Sequence, residues 1–148
     1  MLTYTFLNKP TPEQIANITE MYRLEGWWYQ DADDPKTVAG IVAGSHCFLL
    51  VTKAGDTIGM GRALSDGTSD AYIQDVTVKK PFRGQGIGTQ IIRKLVERLN
   101  ADGLEWIGLI AERNSHAFYE RLGFNKMPKS VPMLKMKAEG ERLNADVR

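Results

Sequence analysis

The chain has 148 residues, 43% of them hydrophobic and 25% charged, which is ordinary globular composition with enough apolar material for one core. Lys and Arg number 19 against 18 Asp and Glu, a net charge of +1, and this excludes the strong basic excess of a nucleic-acid protein. One cysteine, Cys47, rules out an internal disulfide, and one Cys with two widely separated His residues gives no metal-ligand cluster.

Residues 2–7 alternate as a first strand, closed by Asn8-Lys9-Pro10. Thr11 is placed to cap a helix with Pro12 in its first turn, and Gly26 ends it. An aromatic turn, Trp27-Trp28-Tyr29, and an acidic loop from Asp31 to Asp34 follow, and Pro35 opens a second short helix carrying Val38, Ile41 and Val42. Residues 45–51 read as an apolar strand. Lys53 to Asp56 turns the chain, and residues 57–64 return as a hairpin. A polar turn over 65–70 leads to a strand containing Ile73, Val76 and Val78, stopped by Lys79, Lys80 and Pro81.

Next comes Arg83-Gly84-Gln85-Gly86-Ile87-Gly88, with glycines on alternate positions, ahead of a helix striped by Ile87, Ile91, Leu95 and Leu99. A strand, a glycine turn and a helix N-terminus in that order form an anion-binding arrangement, because free amides and the helix dipole point into the turn. A Walker loop is absent, and Gly-x-Gly-x-x-Gly fails at Thr89 counted from Gly84 and at Ile91 counted from Gly86. Arg83-x-x-Gly86-x-Gly88 remains, beside the plainer reading of a tight turn with glycines for backbone freedom. Residues 106–110 read as a buried strand, 114–122 as a short helix with Asn114 or Ser115 as cap, and Phe124 with 131–136 as closing strands. There is no signal-peptide pattern and no apolar run of about 18 residues, so a cytoplasmic protein without a membrane span is expected. The expected organisation is one domain over 1–137 and a charged, flexible tail over 138–148.

Val76-x-Val78-x-x-Pro81 followed by Arg83-x-x-Gly86-x-Gly88 resembles the coenzyme A signature of the GNAT superfamily of N-acetyltransferases. A second stretch, Asn114-Ser115-x-Ala117-Phe118-Tyr119-Glu120-Arg121-Leu122-Gly123-Phe124, is similar to that family's later helix-and-strand signature. The order β-α-α-β-β-β-α-β-α-β-β matches the family throughout. The resemblance implies an α/β protein of the GNAT (acyl-CoA N-acyltransferase) fold, a mixed central sheet flanked by helices, with acetyl-CoA as donor and no metal.

By that resemblance the main chain of Val76, Thr77 and Val78 pairs with the pantetheine arm, as an added strand would. Arg83, Gly84, Gln85, Gly86, Ile87 and Gly88 hold the pyrophosphate, with Thr89 adding a hydroxyl, and Asn114 contacts the arm. Tyr119 stands where the family keeps the acid that protonates the leaving thiolate; the plainer reading is a tyrosine that only packs there. An amine must lose a proton to attack, its ordinary pKa being about 10.4. Asp75 is the candidate base, with Tyr72, Gln74, His46 and a water chain as rivals, or Asp75 is a structural tie. His46 and Cys47, adjacent on a strand, point to opposite faces and cannot act as a pair.

The acceptor is expected against the first two helices, where Tyr22, Trp27, Trp28 and Tyr29 lie near Glu25, Asp31, Asp33 and Asp34, and Tyr72 and Gln74 approach from the sheet. Aromatics with carboxylates suit a cationic amine; the alternative is a core or dimer-interface cluster beside a solvated loop. The expected activity is acetyl transfer from acetyl-CoA to the primary amine of a small molecule by direct attack in a ternary complex. A protein lysine or N-terminal amine is the alternative acceptor, and a non-catalytic acyl-CoA-binding module the alternative class. Homodimers are common in the family, and a homodimer is the implied assembly.

Overall fold

The computed structural model describes residues 1–28 and 32–136, in two compact units that meet in sequence at Leu109 and Ile110. Within residues 1–109 the order is β1 (Leu2–Phe6), α1 (Pro12–Leu24), α2 (Pro35–Gly44), β2 (Cys47–Lys53), β3 (Asp56–Ser65), β4 (Asp70–Val78), α3 (Ile87–Ala101) and β5 (Trp106–Leu109). The strands lie side by side in chain order, antiparallel from β1 to β4 and parallel between β4 and β5. Parallel pairing requires a crossover, and α3 provides it.

Local chemistry explains the element ends. Thr11 Oγ1 accepts from Gln14 N at 3.1 Å, and Gln14 Oε1 accepts from Thr11 N at 2.9 Å, a complete capping box at the start of α1. Asp34 caps α2 by accepting from Lys36 N at 2.9 Å. The turn between β2 and β3 puts Ala54 (φ 50°) and Gly55 (φ 87°) both in the left-handed region, the geometry of a two-residue hairpin.

Side-chain alternation divides the sheet into two faces. Phe48 and Leu50 on β2 and Met60 on β3 pack with Ile18, Met21 and Tyr22 of α1 and Val38 and Val42 of α2. The residues between them face α3, where Ile87, Ile91, Ile92, Leu95 and Leu99 are all buried. Each buried aliphatic side chain of this kind contributes roughly 1.5–3 kcal/mol of transfer free energy. Helix α3 sits close because β3 offers it little side chain: a Cβ on Gly61 would lie 2.7 Å from Ile91 Cγ2 and 3.1 Å from Leu95 Cδ1. At the rim, Lys94 lies over the Tyr4 ring at 5.3 Å and Arg98 over Phe6 at 5.0 Å, covering β1 with their aliphatic stems.

Residues 110–136 contain one helix, α4 (His116–Glu120), shorter than the expected 114–122. Arg113 (φ 54°) and Asn114 (φ 60°) are both left-handed and cannot join it. The two expected closing strands do not form among the described residues. Phe124 N is bonded to Tyr119 O at 3.1 Å as part of the helix end, and 131–136 is irregular with Val131, Met133 and Leu134 exposed. Pro128 and Pro132 remove ladder donors there, which an alternating apolar pattern does not reveal. The expected tail, 138–148, lies outside the described residues.

Candidate functional site

Strand β4 is the foundation of the site. Toward β3 its register reads Arg62↔Gln74 and then Met60↔Thr77, so Gly61 faces both Asp75 and Val76 in a β-bulge. Asp75 is left-handed at φ 55°, a conformation that Asp tolerates better than most residues. The extra residue turns Asp75 to the α1 face together with Gln74 and Thr77, while Val76 lies under α3. Toward β5 the ladder stops at Ile73↔Leu109. Residues 74–78 have no strand on that side among the described residues, leaving a main-chain edge of the kind an extended ligand can pair with. Val76, Thr77 and Val78 all lie on this edge.

At the end of β4 the chain makes a 3-10 turn over Lys80–Phe82 and enters the glycine loop. Gly84 (φ 76°) and Gly86 (φ 83°) are left-handed, and Gly86 is the N-cap of α3, with no side chain bonded to the cap. Gln90 N bonds Gly86 O at 3.1 Å, leaving the amides of Ile87, Gly88 and Thr89 ahead of the helical ladder. Among the described residues, nothing lies within 4 Å of the Cβ positions of Gly84 or Gly86. Arg83 is held beside it: Nε donates to Val78 O at 2.7 Å and Nη2 to Glu25 Oε1 at 2.8 Å. Gln85 is exposed and Thr89 half-buried. Amides ahead of the helical ladder, the positive end of a helix and an adjacent guanidinium fit a pyrophosphate, and the edge of β4 left open among the described residues fits an extended amide chain.

On the α1 face the sequence-predicted side chains are engaged with one another. Tyr22 is buried in the core, and its hydroxyl donates to Asp75 Oδ2 at 2.7 Å. Arg62 Nε reaches the same oxygen at 2.7 Å, and its Nη2 donates to Gln74 Oε1 at 3.3 Å. Glu25 accepts from the Thr77 hydroxyl as well as from Arg83, Asp33 pairs with Arg23, and Asp34 is the α2 cap. The carboxylates expected to receive a cationic amine therefore have partners in the fold, apart from Asp31, which with Tyr29 lies outside the described residues. Trp27 and Trp28 pack against the core, Trp27 at 6.0 Å from the Tyr22 ring and Trp28 with the Arg23 guanidinium at 5.8 Å. Tyr72 is set apart, 46% exposed and edge-on to Trp106 at 5.3 Å. His46 Nε2 lies 2.7 Å from Asp102 Oδ2, a partner at the end of α3.

In residues 110–136, Tyr119 lies edge-on between Phe118 (5.0 Å) and Phe124 (5.9 Å). Burial, and secondarily the charge of Glu112, push its phenol above the ordinary value of 10.0, so at neutral pH it holds its proton and can donate it. Asn114 occupies the left-handed turn before α4, where a short polar side chain is tolerated.

Arg62 escaped the sequence reading, and Glu25 was read there as an acceptor-side carboxylate. Arg62 and Glu25 carry the ion pairs that fix Asp75 and Arg83. Arg62 carried a usable signal, since a cation inside the apolar run Ile58-Gly59-Met60-Gly61-Arg62-Ala63-Leu64 needs a buried anion. Glu25 carried none, because its partners are 52 and 58 residues away.

Comparison with known proteins agrees with the geometry. Residues 6–124 match the model of the Acetyltransferase (GNAT) family. A histone acetyltransferase of Glycine max is 39% identical over 74 residues, 50% of this chain and 32% of that protein. A chloroplastic serotonin N-acetyltransferase of Oryza sativa subsp. japonica is 34% identical over 80 residues, 54% of this chain and 40% of that protein. The chain thus spans less than half the length of the curated relatives it matches. Among solved structures, a GNAT-family acetyltransferase of Streptococcus pneumoniae TIGR4 superposes with a TM-score of 0.74 at 19% identity, covering 94% of this chain and all of that one.

Proposed function

Since the chain belongs to the GNAT family of acetyltransferases, we propose that it moves an acetyl group from acetyl-CoA to the primary amine of a small molecule, by direct attack in a ternary complex. The observation that carries the donor half is the pairing of a β4 edge that has no further strand among the described residues with a left-handed glycine turn at the N-terminus of α3. Acetyl-CoA supplies an activated acetyl thioester. The main chain of Val76, Thr77 and Val78 lines up its pantetheine arm. Arg83 and the amides from Gly84 to Gly88 hold the pyrophosphate, with the Thr89 hydroxyl beside them, and Asn114 contacts the arm. Asp75 takes the proton that the amine gives up, and the protonated Tyr119 phenol supplies one to the departing sulfur.

A small-molecule acceptor is supported by the rice relative, whose name gives serotonin as its substrate. The soybean relative carries the name of a histone acetyltransferase, which keeps a protein amine as the second reading. The test is free-thiol release from acetyl-CoA in the presence of arylalkylamines, aliphatic amines and lysine peptides. Turnover with arylalkylamines and none with peptides is expected. Turnover confined to peptides replaces the small-molecule reading, and tight coenzyme A binding with no turnover on any amine leaves a binding module. Tyr119 adds a pH criterion. The loss of kcat at alkaline pH is expected above 10.0, because its phenol is raised from there, and that limb is expected to disappear in Tyr119→Phe.

A further inference from the structure

Asp75 is held by two donors that arrive from different elements. The Tyr22 hydroxyl, in the last turns of α1, and Arg62 Nε, on β3, both lie 2.7 Å from Oδ2. The Asp75 side chain is 2% exposed and that of Arg62 14%. Taking both charges out of water is unfavourable, and apolar residues of similar volume would hold a core as well or better. Stability alone therefore does not account for the pair.

The cluster does control the bulge. With Oδ2 tied to α1 and β3, the Asp75 side chain must lie on the α1 face. That is possible only if β4 carries its extra residue opposite Gly61 and Asp75 adopts φ 55°. The guanidinium is itself fixed, with Nη1 3.4 Å from Ser45 Oγ and Nη2 3.3 Å from Gln74 Oε1. In a regular strand the same side chain would face α3, and the run of amides from 74 to 78 would be re-aimed.

We propose that Tyr22 and Arg62 are positioning residues for acetyl transfer: acting through Asp75, they lock the β4 bulge and the plane of its carboxylate toward the reacting atoms. The proposal rests on the acetyltransferase reading above. It gives Tyr22 a task other than lining the acceptor site, and it assigns one to Arg62.

Two conservative variants test it in the full chain. Tyr22→Phe keeps the ring in the core and deletes one oxygen. Arg62→Lys keeps the charge but loses the Nε donor and the planar fork. Each is expected to lower kcat about tenfold through misplacement alone. The calorimetric Kd for coenzyme A should rise by less than kcat falls, because the amides from 74 to 78 are re-aimed while the pyrophosphate loop is untouched. In an Asp75→Asn background, assayed at high enzyme concentration, adding Tyr22→Phe should cost nothing further, since the residue acts through that carboxylate. Thermal midpoints recorded alongside identify any variant that fails to fold; if Arg62→Lys does, Tyr22→Phe decides. Wild-type kcat in the folded variants overturns the proposal, and so does an undiminished Tyr22→Phe penalty beside Asp75→Asn. A wild-type protein that binds coenzyme A but acetylates no amine ends both this proposal and the acetyltransferase reading, so the two failures are distinguished by the wild type itself.

Discussion

From Ala71 to Ile73, β4 has a hydrogen-bonded neighbour on each side; from Gln74 to Val78 it keeps, among the described residues, β3 alone, and its register slips by one residue. In the first part side chains alternate simply, Ala71 and Ile73 buried and Tyr72 exposed. In the second, two successive side chains turn to the same face, one residue is left-handed, and a carboxylate is buried with an arginine. The contrast shows how a single strand anchors a sheet at one end and presents main chain to a ligand at the other. The first task needs satisfied ladders and the second needs unsatisfied ones.

The contrast can be broken most sharply with the two aspartates of β4. Asp75→Ala strands the buried Arg62 cation and should cost about 3–5 kcal/mol in urea unfolding. Asp70→Ala, at the exposed start of β4 next to the doubly paired part, should stay within about 0.5 kcal/mol. Comparable losses would mean that the bulge cluster carries no special charge burden. Next in size is Gly86→Ala. Its Cβ enters open space, so the cost is backbone strain at φ 83°, on the order of 1–2 kcal/mol. Placed on the loop, that strain should raise the coenzyme A Kd about tenfold, as read by calorimetry; unchanged affinity would detach the loop from the donor. The smallest effect belongs to Tyr72→Ala. It removes the edge-on contact with Trp106 at 5.3 Å and should cost roughly 1 kcal/mol while leaving coenzyme A binding alone.

Much of the paired architecture was legible in the sequence. The stripe of Ile87, Ile91, Leu95 and Leu99, the Thr11 cap and the glycine alternation act through neighbours a few residues away, and local spacing records them. The bulge was not legible, because strand periodicity assumes one residue per step and Asp75 adds a step. The commitment of Glu25, Asp33 and Asp34 was hidden for a different reason. An acidic cluster looks the same on paper whether its charges meet water, a helix cap or an arginine. The expected closing strands, which do not form among the described residues, were misread for another reason: alternation at 131–136 says nothing about where a donor is missing.

Cys47, the one cysteine of the chain, is 5% exposed, and burial pushes its thiol from 9.0 to about 11. Between those values the unfolded chain releases the proton first, so stability should decline as pH rises through that window, and the decline should be smaller in Cys47→Ala. The same burial has a bench consequence. A sulfur that is neither ionised nor reachable is invisible to aromatic disulfide reagents near neutral pH. Native protein should give no colour with them and denatured protein one equivalent. In a coupled colorimetric assay, every chromophore formed would then report product, with no blank contributed by the catalyst and no slow inactivation by the dye.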